Sequence, residues 1–579
     1  MKLVFLFGFS TALALLMLYP MFDAREGMPS ADGVIMAWNR WHCAECVLAC
    51  RNPLHTDLFL YPRGVSLAKH TLSPGFAPVD ITVKWLSNNS PFWPFYALRV
   101  VVFGSFVTLF ALTYILLREL SCGRVASGVV SACFTYADFF ISHAQYPQFA
   151  AMWLYPLCTL LLLRLCRRPS FGWLLALAIT VGASVYFTEM VALWCLGVTL
   201  VALLRFPQML AVLRQTRPWW WLASGACSAI IAAPFLLAFA ASDGATQADT
   251  ARYLSADFTG FLIPADQLNP FAARLVQTIL GVQYDTRVEI WLGWILPLGA
   301  LLSLVMTQER RSSWPFLAVA GGVLLLSVGP DLRMGETVYQ DVMPWVDFAR
   351  VPPFCCCRAP YRLLPAALFA LSIPAGLALS RIGSAKHGKW VLTACVALAA
   401  VEVYAPDNNV AASDRSGFAL CNVFATPPPE FVEHITSEGV PGPWATFPPS
   451  FYDTAGVYAQ MFHHQPICAG LWVSRWSTRQ EMDYWEYHAV YAHAIREQNP
   501  EILTTWLRER GVCNLLVTRL DALDGSGLDC MAHTINVVDC RHVFTPENDP
   551  FAHAIRQVRR IEIPRTATAT PGSAATRGL

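Results

Sequence analysis

Charged residues are scarce in this sequence. Only 14% of its 579 residues are Asp, Glu, Lys or Arg, and 55% are hydrophobic, whereas about a quarter of the residues in ordinary soluble domains are charged. The mean hydropathy is +0.42, and the formal net charge of +1 gives no reason to expect a nucleic-acid partner. This composition argues against an ordinary soluble enzyme and indicates a membrane protein.

A convincing signal-peptide cleavage site is also missing. Lys2 precedes the first apolar run, Leu3 to Met21, as a basic residue does in a secretory signal, but no small-residue cleavage motif follows. We therefore expect this run to be the first membrane span. Its removal would leave the topology of the later spans unchanged.

The eighteen cysteines do not form a metal-binding pattern. Cys43, Cys46 and Cys50 beside His42 have spacings that suit either a metal site or one face of a helix, and no matching second pair follows. Beyond the apolar region, one or two disulfides are expected, with Cys530 and Cys540 the nearest pair. The cysteines considered for these disulfides are Cys421, Cys468, Cys513, Cys530 and Cys540.

Long apolar runs are what the sequence does contain. About eleven windows are long enough, at roughly twenty residues each, to cross a bilayer. They are Leu3 to Met21, Phe95 to Leu117, Val125 to Ile141, Phe149 to Leu165, Phe171 to Tyr186, Met190 to Leu204, Trp219 to Ala241, Ile290 to Met306, Trp314 to Val328, Leu363 to Leu379 and Trp390 to Val403.

The charges between the windows predict the orientation. With a cytoplasmic amino terminus, the inner connections are strongly basic and contain only Glu119 and Glu309 as acids, which satisfies the positive-inside rule. Their basic residues are Arg118, Arg124, Arg164, Arg167, Arg168, Arg205, Arg214, Arg217, Arg310, Arg311, Arg381, Lys386 and Lys389. The first loop and the carboxy-terminal part are then both extracytoplasmic.

These patterns predict a polytopic α-helical membrane protein with a small extracytoplasmic α/β domain. The membrane domain is 1–404, with a large outer loop at 22–94; the α/β domain is 405–565, and 566–579 is a disordered tail. In the α/β domain, Asn499 and Pro500 predict a helix start, Glu501 to Arg510 an amphipathic helix and Cys513 to Val517 a strand.

Five segments, in order, carry a family resemblance over most of the chain, to about Val517. They are Asn52 to Leu67 (NPLHTDLFLYPRGVSL), Tyr253 to Pro264, Trp291 to Leu298, Phe354 to Arg362 ending in RAPYR, and Tyr458 to Gly470. The chain resembles the bacterial YfhO-like polytopic membrane proteins of the GT-C glycosyltransferase superfamily. The resemblance implies transfer of a sugar from a polyprenyl-phosphate donor to an acceptor on the outer face.

Such a transfer needs a base for the acceptor hydroxyl, and a carboxylate in a partly dry site suits that role. Asp32 on the outer loop is the first candidate, as the base or as a metal ligand, although it could instead cap a helix. In the family this acid follows glycine, but here it follows Ala31, so Asp57 in His55-Thr-Asp57 is a second candidate. Asp57 could instead be a turn residue.

Two arginines are candidates for binding the donor phosphate. Arg358 and Arg362 are four residues apart at the outer entrance of a span, so a helix there would place both guanidinium groups on one face. Outer arginines run against the charge bias of this chain. The alternative is that they reach lipid head groups.

Other ionisable residues are expected near the outer ends of spans, where they could bind substrate or simply lie at the water interface. The candidates for substrate binding are His55, Asp138, His143, Glu189 and Asp257. Arg99 has a similar position.

Two other functional classes remain open from the sequence. A transporter or flippase for a lipid-linked sugar would tend to show internal repeats, which are not found here. A non-catalytic membrane assembly factor would keep the spans without the chemistry. For the enzyme, no cofactor is firmly expected, and a divalent metal stays open. The expected partners are a polyprenyl-phosphate-linked sugar, an envelope glycan, lipid or protein acceptor, and the lipids of the inner or plasma membrane.

Overall fold

The computed structural model describes most of the chain. The described residues are 2–22, 31–60, 64–68, 70–187, 215–241, 255–264, 269–280, 290–334, 337–348, 359–385, 387–403, 429–447, 454–468, 478–517 and 535–539.

Helices dominate the described residues up to Val403. The helices up to the end of the fifth predicted window are α1 (Lys2–Leu18), α2 (Ala31–Leu48), α3 (Ala77–Leu86), α4 (Trp93–Glu119), α5 (Arg124–Thr135), α6 (Asp138–Ser142), α7 (Pro147–Ala150), α8 (Leu154–Arg167) and α9 (Phe171–Ser184). They are followed by α10 (Pro218–Ala241), α11 (Pro270–Leu280), α12 (Ile295–Val305), α13 (Thr307–Ser327), α14 (Trp345–Phe348), α15 (Leu364–Gly383) and α16 (Gly388–Val403). The hairpin strands are β1 (His55–Thr56) with β2 (Val65–Ser66), and β3 (Leu332–Met334) with β4 (Thr337–Tyr339).

Five helical segments of the described chain are long and apolar enough to cross a bilayer: Trp93–Glu119, Arg124–Ser142, Pro147–Arg167, Pro218–Ala241 and Pro360–Gly383. Shorter apolar helices cover Val4–Leu18, Phe171–Ser184, Ile295–Val305 and Ser313–Ser327. Every predicted window contains helix except Met190 to Leu204, which lies outside the described residues. The protein therefore has multiple candidate membrane helices, and the number of about eleven spans stays a prediction.

One end of the helical bundle is defined by polar contacts between helix ends. Glu119, the last residue of α4, forms ion pairs with Arg164 (2.7 Å) and Arg167 of α8. The backbone N–H of Gly123, just before α5, donates to the Ser380 hydroxyl near the end of α15 (2.8 Å). The carboxy-terminal ends of these three helices therefore lie together, at the end that is rich in arginine.

The opposite end is covered by the outer loop. The ring of Phe76, in the turn before α3, packs at 4.8 Å on Phe187, which follows α9. Phe187 in turn contacts Trp153, at the start of α8, with ring centroids 5.5 Å apart. The outer loop and the connection between α5 and α8 thus lie at the same end of the bundle.

Helices α9 and α10 are neighbours that run in the same direction. Trp219 at the start of α10 packs against Phe171 at the start of α9, and Phe235 further along α10 packs against Tyr186 beyond the end of α9. The serine before α9 explains where that helix begins, because the Ser170 hydroxyl accepts a hydrogen bond from the Trp173 N–H.

The described carboxy-terminal residues contain helices and a parallel sheet. The helices are α17 (Pro429–Glu438), α18 (Thr454–His463), α19 (Thr478–Arg496) and α20 (Pro500–Glu509), and the sheet order is β5 (Trp444–Phe447), β6 (Asn514–Val517) and β7 (Asn536–Asp539). The helix expected after Asn499 is present, and the Asn499 side chain caps it by accepting from the Glu501 N–H. The strand expected before Val517 is β6. The boundaries of an independent α/β domain stay a prediction.

Neither Cys468 nor Cys513 is in a disulfide. Cys421, Cys530 and Cys540 lie outside the described residues, so the predicted Cys530–Cys540 pair stays a prediction. The predicted disordered tail 566–579 also lies outside the described residues.

The outer loop and the carboxy-terminal residues are in direct contact. The indole N–H of Trp38 on α2 donates to the side-chain oxygen of Gln460 on α18 (2.8 Å). The Gln460 amide donates to the Leu58 carbonyl (2.8 Å), which also accepts from the Ile467 N–H (2.9 Å). Two parts of a membrane protein that touch outside the bundle lie on the same side of the bilayer, so an even number of crossings separates them.

Candidate functional site

Asp32, the predicted base, is the second residue of α2. Its backbone is helical, and its side chain is outside the described part of the chain. A carboxylate in a first helical turn interacts favourably with the helix dipole. The position therefore fits both the helix-cap and the catalytic interpretation of Asp32. Helix α2 itself packs against α3, α4 and α18.

His55 and Asp57 form an exposed pair on the outer loop. The His55 ring nitrogen Nε2 lies 3.1 Å from the Asp57 carboxylate, and the two side chains are 53% and 84% exposed. Gly64 approaches Asp57 with φ of +72°, and a side chain there would collide with the carboxylate. Because both side chains are exposed, both groups are accessible to a ligand. An exposed pair like this contributes at most about 1 kcal/mol to stability.

Arg362 lies in an aromatic cluster at the outer-loop end of the bundle. It is in the short turn Pro360–Leu363 that precedes α15, and it is half-buried. Its guanidinium carbon is 5.6 Å from the centre of the Tyr146 ring and 5.7 Å from the centre of the Phe149 ring. Cation–π contacts of this kind fix the direction of the guanidinium group.

His143 belongs to the same cluster. Its ring stacks on Phe139 at 4.5 Å and lies 5.4 Å from Phe149 and 5.6 Å from Tyr361. The predicted substrate residues His143 and Arg362 are therefore brought together, although more than two hundred residues separate them in the sequence. We call His143, Tyr146, Phe149, Tyr361 and Arg362 the Arg362 cluster.

The imidazole of His143 is neutral and has a defined tautomer. Burial, with a smaller effect of the neighbouring Arg362 charge, lowers the pKa of His143 to about 3. Its Nδ1 lies 2.9 Å from both the Phe139 carbonyl and the Ser142 hydroxyl. Because the carbonyl can only accept and the Ser142 hydroxyl donates to that same carbonyl, we assign the hydrogen to Nδ1, which donates to both oxygens. The other nitrogen, Nε2, then has a lone pair that can accept a hydrogen bond from a ligand.

Asp138 opens α6, the short helix that is followed directly by His143. It is buried, in keeping with a position inside the protein rather than at an open water interface. Asp138 thus lies in the last part of the candidate span Arg124–Ser142, and His143 directly follows that span.

The other predicted site residues have different surroundings or are not described. Asp257 caps the short helix Phe258–Phe261 by accepting from the N–H (2.9 Å) and hydroxyl (2.6 Å) of Thr259. Arg358 and Glu189 lie outside the described residues.

A buried ion pair in the outer loop was not anticipated from the sequence. Arg40 of α2 and Asp80 of α3 are 3.4 Å apart and neither side chain is exposed. Burial raises the pKa of Asp80 to about 7, and the Arg40 charge opposes that rise. Charged residues at these spacings are a weak sequence signal, because either could equally have faced water.

Glu402 is a second buried acid that the sequence reasoning passed over. Its carboxylate accepts hydrogen bonds from the N–H groups of Trp294 (2.9 Å) and Ile295 (3.0 Å) at the start of α12. Gly293 has φ of +74°, and a side chain there would occupy the space of the carboxylate. An acid in the last turn of an otherwise apolar helix was the available signal.

Within the described residues, no group of three or more His, Cys, Asp or Glu side chains could hold a metal ion. Cys46 lies 3.6 Å from the His42 Nε2, and that nitrogen is also 3.1 Å from the Pro53 carbonyl. Burial lowers the pKa of His42 to about 4. These residues form one face of α2, as the helix-face interpretation expected.

No protein-family model and no curated protein matches this sequence. Among solved structures, the chain is similar to an oligosaccharyltransferase of Archaeoglobus fulgidus in its apo form, with 12% identity, a TM-score of 0.44 and coverage of 81% of this chain and 64% of that one. It is also similar to the archaeal oligosaccharyltransferase AglB of that organism in complex with an inhibitory peptide and a dolichol-phosphate, with 12% identity, a TM-score of 0.42 and coverage of 82% and 65%. The chain thus spans about two thirds of the length of these proteins or slightly less. Similarity at this level says nothing about substrate or chemistry.

Proposed function

We propose that this chain is a membrane glycosyltransferase that transfers a sugar from a polyprenyl-phosphate donor to an acceptor on the extracytoplasmic face. The observation that carries the proposal is the position of Arg362. Its guanidinium group is held over two aromatic rings beside a neutral histidine, at the bundle end opposite the arginine-rich one. The phosphate of a lipid-carried donor lies at the head-group level of a bilayer, where the end of a helical bundle meets water.

The proposed role of Arg362 is to bind the donor phosphate, because a guanidinium group offers two parallel N–H donors to phosphate oxygens. Arg358, four residues earlier, is proposed to supply the second guanidinium group. His143 cannot compete with them for the phosphate as a cation, since its imidazole is neutral. It is proposed to accept a hydrogen bond from the substrate instead.

Asp32 is proposed to act as the general base. The acceptor hydroxyl oxygen would form the new bond to the anomeric carbon, the bond from that carbon to the phosphate oxygen would break, and the hydroxyl proton would pass to the carboxylate. Polyprenyl phosphate is then the leaving group. Asp57, oriented by His55, is the alternative base, and Asp32 could instead hold a divalent metal that stabilises the leaving phosphate.

Asp138, Glu189 and Asp257 are proposed as further substrate contacts. The acceptor is proposed to be an envelope glycan, lipid or protein, reached from the side on which the outer loop meets 405–565. That side is proposed to be extracytoplasmic because the opposite bundle end carries the ion-paired arginines Arg164 and Arg167.

A deletion strain tests this function. Loss of a transferase should cause the lipid-linked sugar to accumulate and one envelope glycan to lose that sugar. Complementation with the wild-type gene should restore both, whereas Asp32→Asn should restore neither. Accumulation of the donor on the cytoplasmic face, together with lipid translocation by the purified protein in vesicles, would instead identify a flippase.

A further inference from the structure

Two glutamines near the Arg362 cluster in sequence have buried amide atoms that lack a hydrogen-bond partner among the described residues. Gln148 on α7 is 4% exposed, and neither its Oε1 nor its Nε2 has a hydrogen-bond partner among the described residues. Gln145 is 2% exposed, and its Nε2 also has no hydrogen-bond partner among the described residues. A buried amide without a partner destabilises a protein, so such a group marks a place where a water or a ligand binds.

Their place in the chain puts both glutamines next to Arg362. Gln145 immediately precedes Tyr146, and Gln148 immediately precedes Phe149, the two residues whose rings lie under the Arg362 guanidinium group. Adjacent Cα atoms are about 3.8 Å apart. The backbones of both glutamines therefore lie within one residue of the rings under Arg362, in the segment 143–149 that also carries His143.

The unpartnered atoms define the chemistry of the ligand. The Gln148 Oε1 needs a donor and its Nε2 needs an acceptor. A phosphate ester oxygen can only accept, so it would leave the Oε1 unsatisfied. Hydroxyl groups donate and accept, and the lone pair on the His143 Nε2 also requires a donor. Aromatic walls with a few such polar groups are typical of sites for small organic ligands.

We propose that Gln148, together with Gln145, binds hydroxyl groups of the donor sugar while Arg362 binds the donor phosphate. This inference rests on the proposed function and assigns the sugar-binding part of the site. Gln148 is then a residue that determines sugar specificity, because a site built to hydrogen-bond a hydroxyl group discriminates strongly against ligands that lack it.

Gln460 provides a matched comparison. It is fully buried like Gln148, but its amide is satisfied by the protein: it donates to the carbonyls of Leu58 (2.8 Å) and Gln465 (3.0 Å) and accepts from Trp38 (2.8 Å). Replacement by methionine should therefore lower the melting temperature at position 460 and leave it unchanged or raise it at position 148.

The experiment uses the full chain in lipid nanodiscs. The binding of bare polyprenyl phosphate is compared with the binding of polyprenyl-phosphate sugars carrying a hexose, an N-acetylhexosamine or a pentose. The wild-type protein should bind one of the sugar-loaded lipids more tightly than the bare lipid. Gln148→Met should lose that preference, a loss of about tenfold in affinity for the loaded lipid, while its affinity for the bare lipid stays the same. Gln460→Met, where it folds, should keep the preference.

The possible failures are distinguishable. A Gln148→Met protein that retains the sugar preference would overturn the assignment and leave Gln148 as a site for a structural water. A wild-type protein that binds loaded and bare lipids equally would overturn it as well. If neither lipid binds, the proposed function itself fails.

Discussion

The carboxylate of Asp80 and the guanidinium group of Arg40 lie 3.4 Å apart with no exposed surface on either side chain. Arg40 also donates to the carbonyls of Leu72 and Ser73, and its guanidinium group lies 5.6 Å from the centre of the Phe76 ring. This network fixes α2, which carries Asp32, to α3 and to the turn before it. The position of α2, and with it the position of Asp32, therefore depends on this ion pair.

Removing the Asp80 carboxylate should destabilise the outer loop. At pH 8, where Asp80 is ionised, Asp80→Ala leaves the Arg40 charge buried without its partner, which typically costs about 3–5 kcal/mol. Lys84→Met is a matched control, because Lys84 of α3 pairs with Glu45 of α2 (2.5 Å) between the same two helices but is partly exposed; its loss should cost at most about 1 kcal/mol. Thermal unfolding and limited proteolysis of the loop measure both, and equal effects would contradict the expectation.

The same pair predicts a pH dependence. Burial raises the pKa of Asp80 from 3.8 to about 7, so between these values the folded protein holds a proton that the unfolded chain releases. The contribution of this group to stability should be complete below about pH 4 and should be lost as the pH rises to about 7. The difference in melting temperature between wild type and Asp80→Asn, followed from pH 4 to 8, isolates it. A difference that stays flat from pH 4 to 8 would contradict this and would show that the carboxylate is ionised in the folded protein throughout that range.

Reporter fusions or cysteine labelling at Asn89 and after Arg475 should place both positions outside the cytoplasm. The contact between Gln460 and Leu58 requires that these regions share a side, and the positive-inside rule predicts that the arginine-rich end is the cytoplasmic one. Opposite locations for the two probes would contradict the packing of α18 on the outer loop.

Asp32→Asn should abolish transfer while the protein stays folded and inserted, because the amide keeps the shape and loses the basic oxygen. A loss of roughly two to four orders of magnitude is typical for a general base. Asp57→Asn is the parallel variant, since it tests the alternative base on the same loop. Full activity of Asp32→Asn with an inactive Asp57→Asn would show that Asp57 has the catalytic role.

Arg362→Lys should raise the apparent KM for the donor or lower kcat, because lysine keeps the charge but loses the planar pair of donors that phosphate accepts. Arg358→Ala and Arg362→Ala should also be coupled, so that the double variant loses a different amount from the sum of the single losses. Donor binding by the three variants measures this. Wild-type affinity in the double variant would indicate that both arginines contact lipid head groups only.

Local patterns in the sequence were sufficient for the elements that local physics determines. Asn499 followed by Pro500 specified the start of α20, because the cap and the first helical turn are adjacent in sequence. Long apolar runs likewise predicted the long helices, because a run of about twenty such residues is long enough to cross a bilayer. His143 and Arg362 were each assigned to the outer ends of spans for the same reason.

Long-range packing accounts for what the sequence did not reveal. Nothing near Arg40 indicates that its partner is Asp80, and nothing near Glu402 indicates that it caps α12. Gln148 is an uncharged residue in an apolar run and gave no signal until its surroundings were known. A sequence shows which polar side chains need a hydrogen-bond or ion-pair partner, but only the folded structure shows which residue is that partner.

The hydrogen bond between Trp38 and Gln460 also limits when the packing of α2 can be completed during synthesis. The two residues are 422 positions apart, so at ordinary translation rates roughly 20 to 80 s pass between their appearance. During that time the face of α2 that carries Trp38 lacks its final cover. The loop 22–94 is thus synthesised early but is among the last parts of the chain to reach its final packing, and a chain truncated before α18 should leave this face of α2 uncovered.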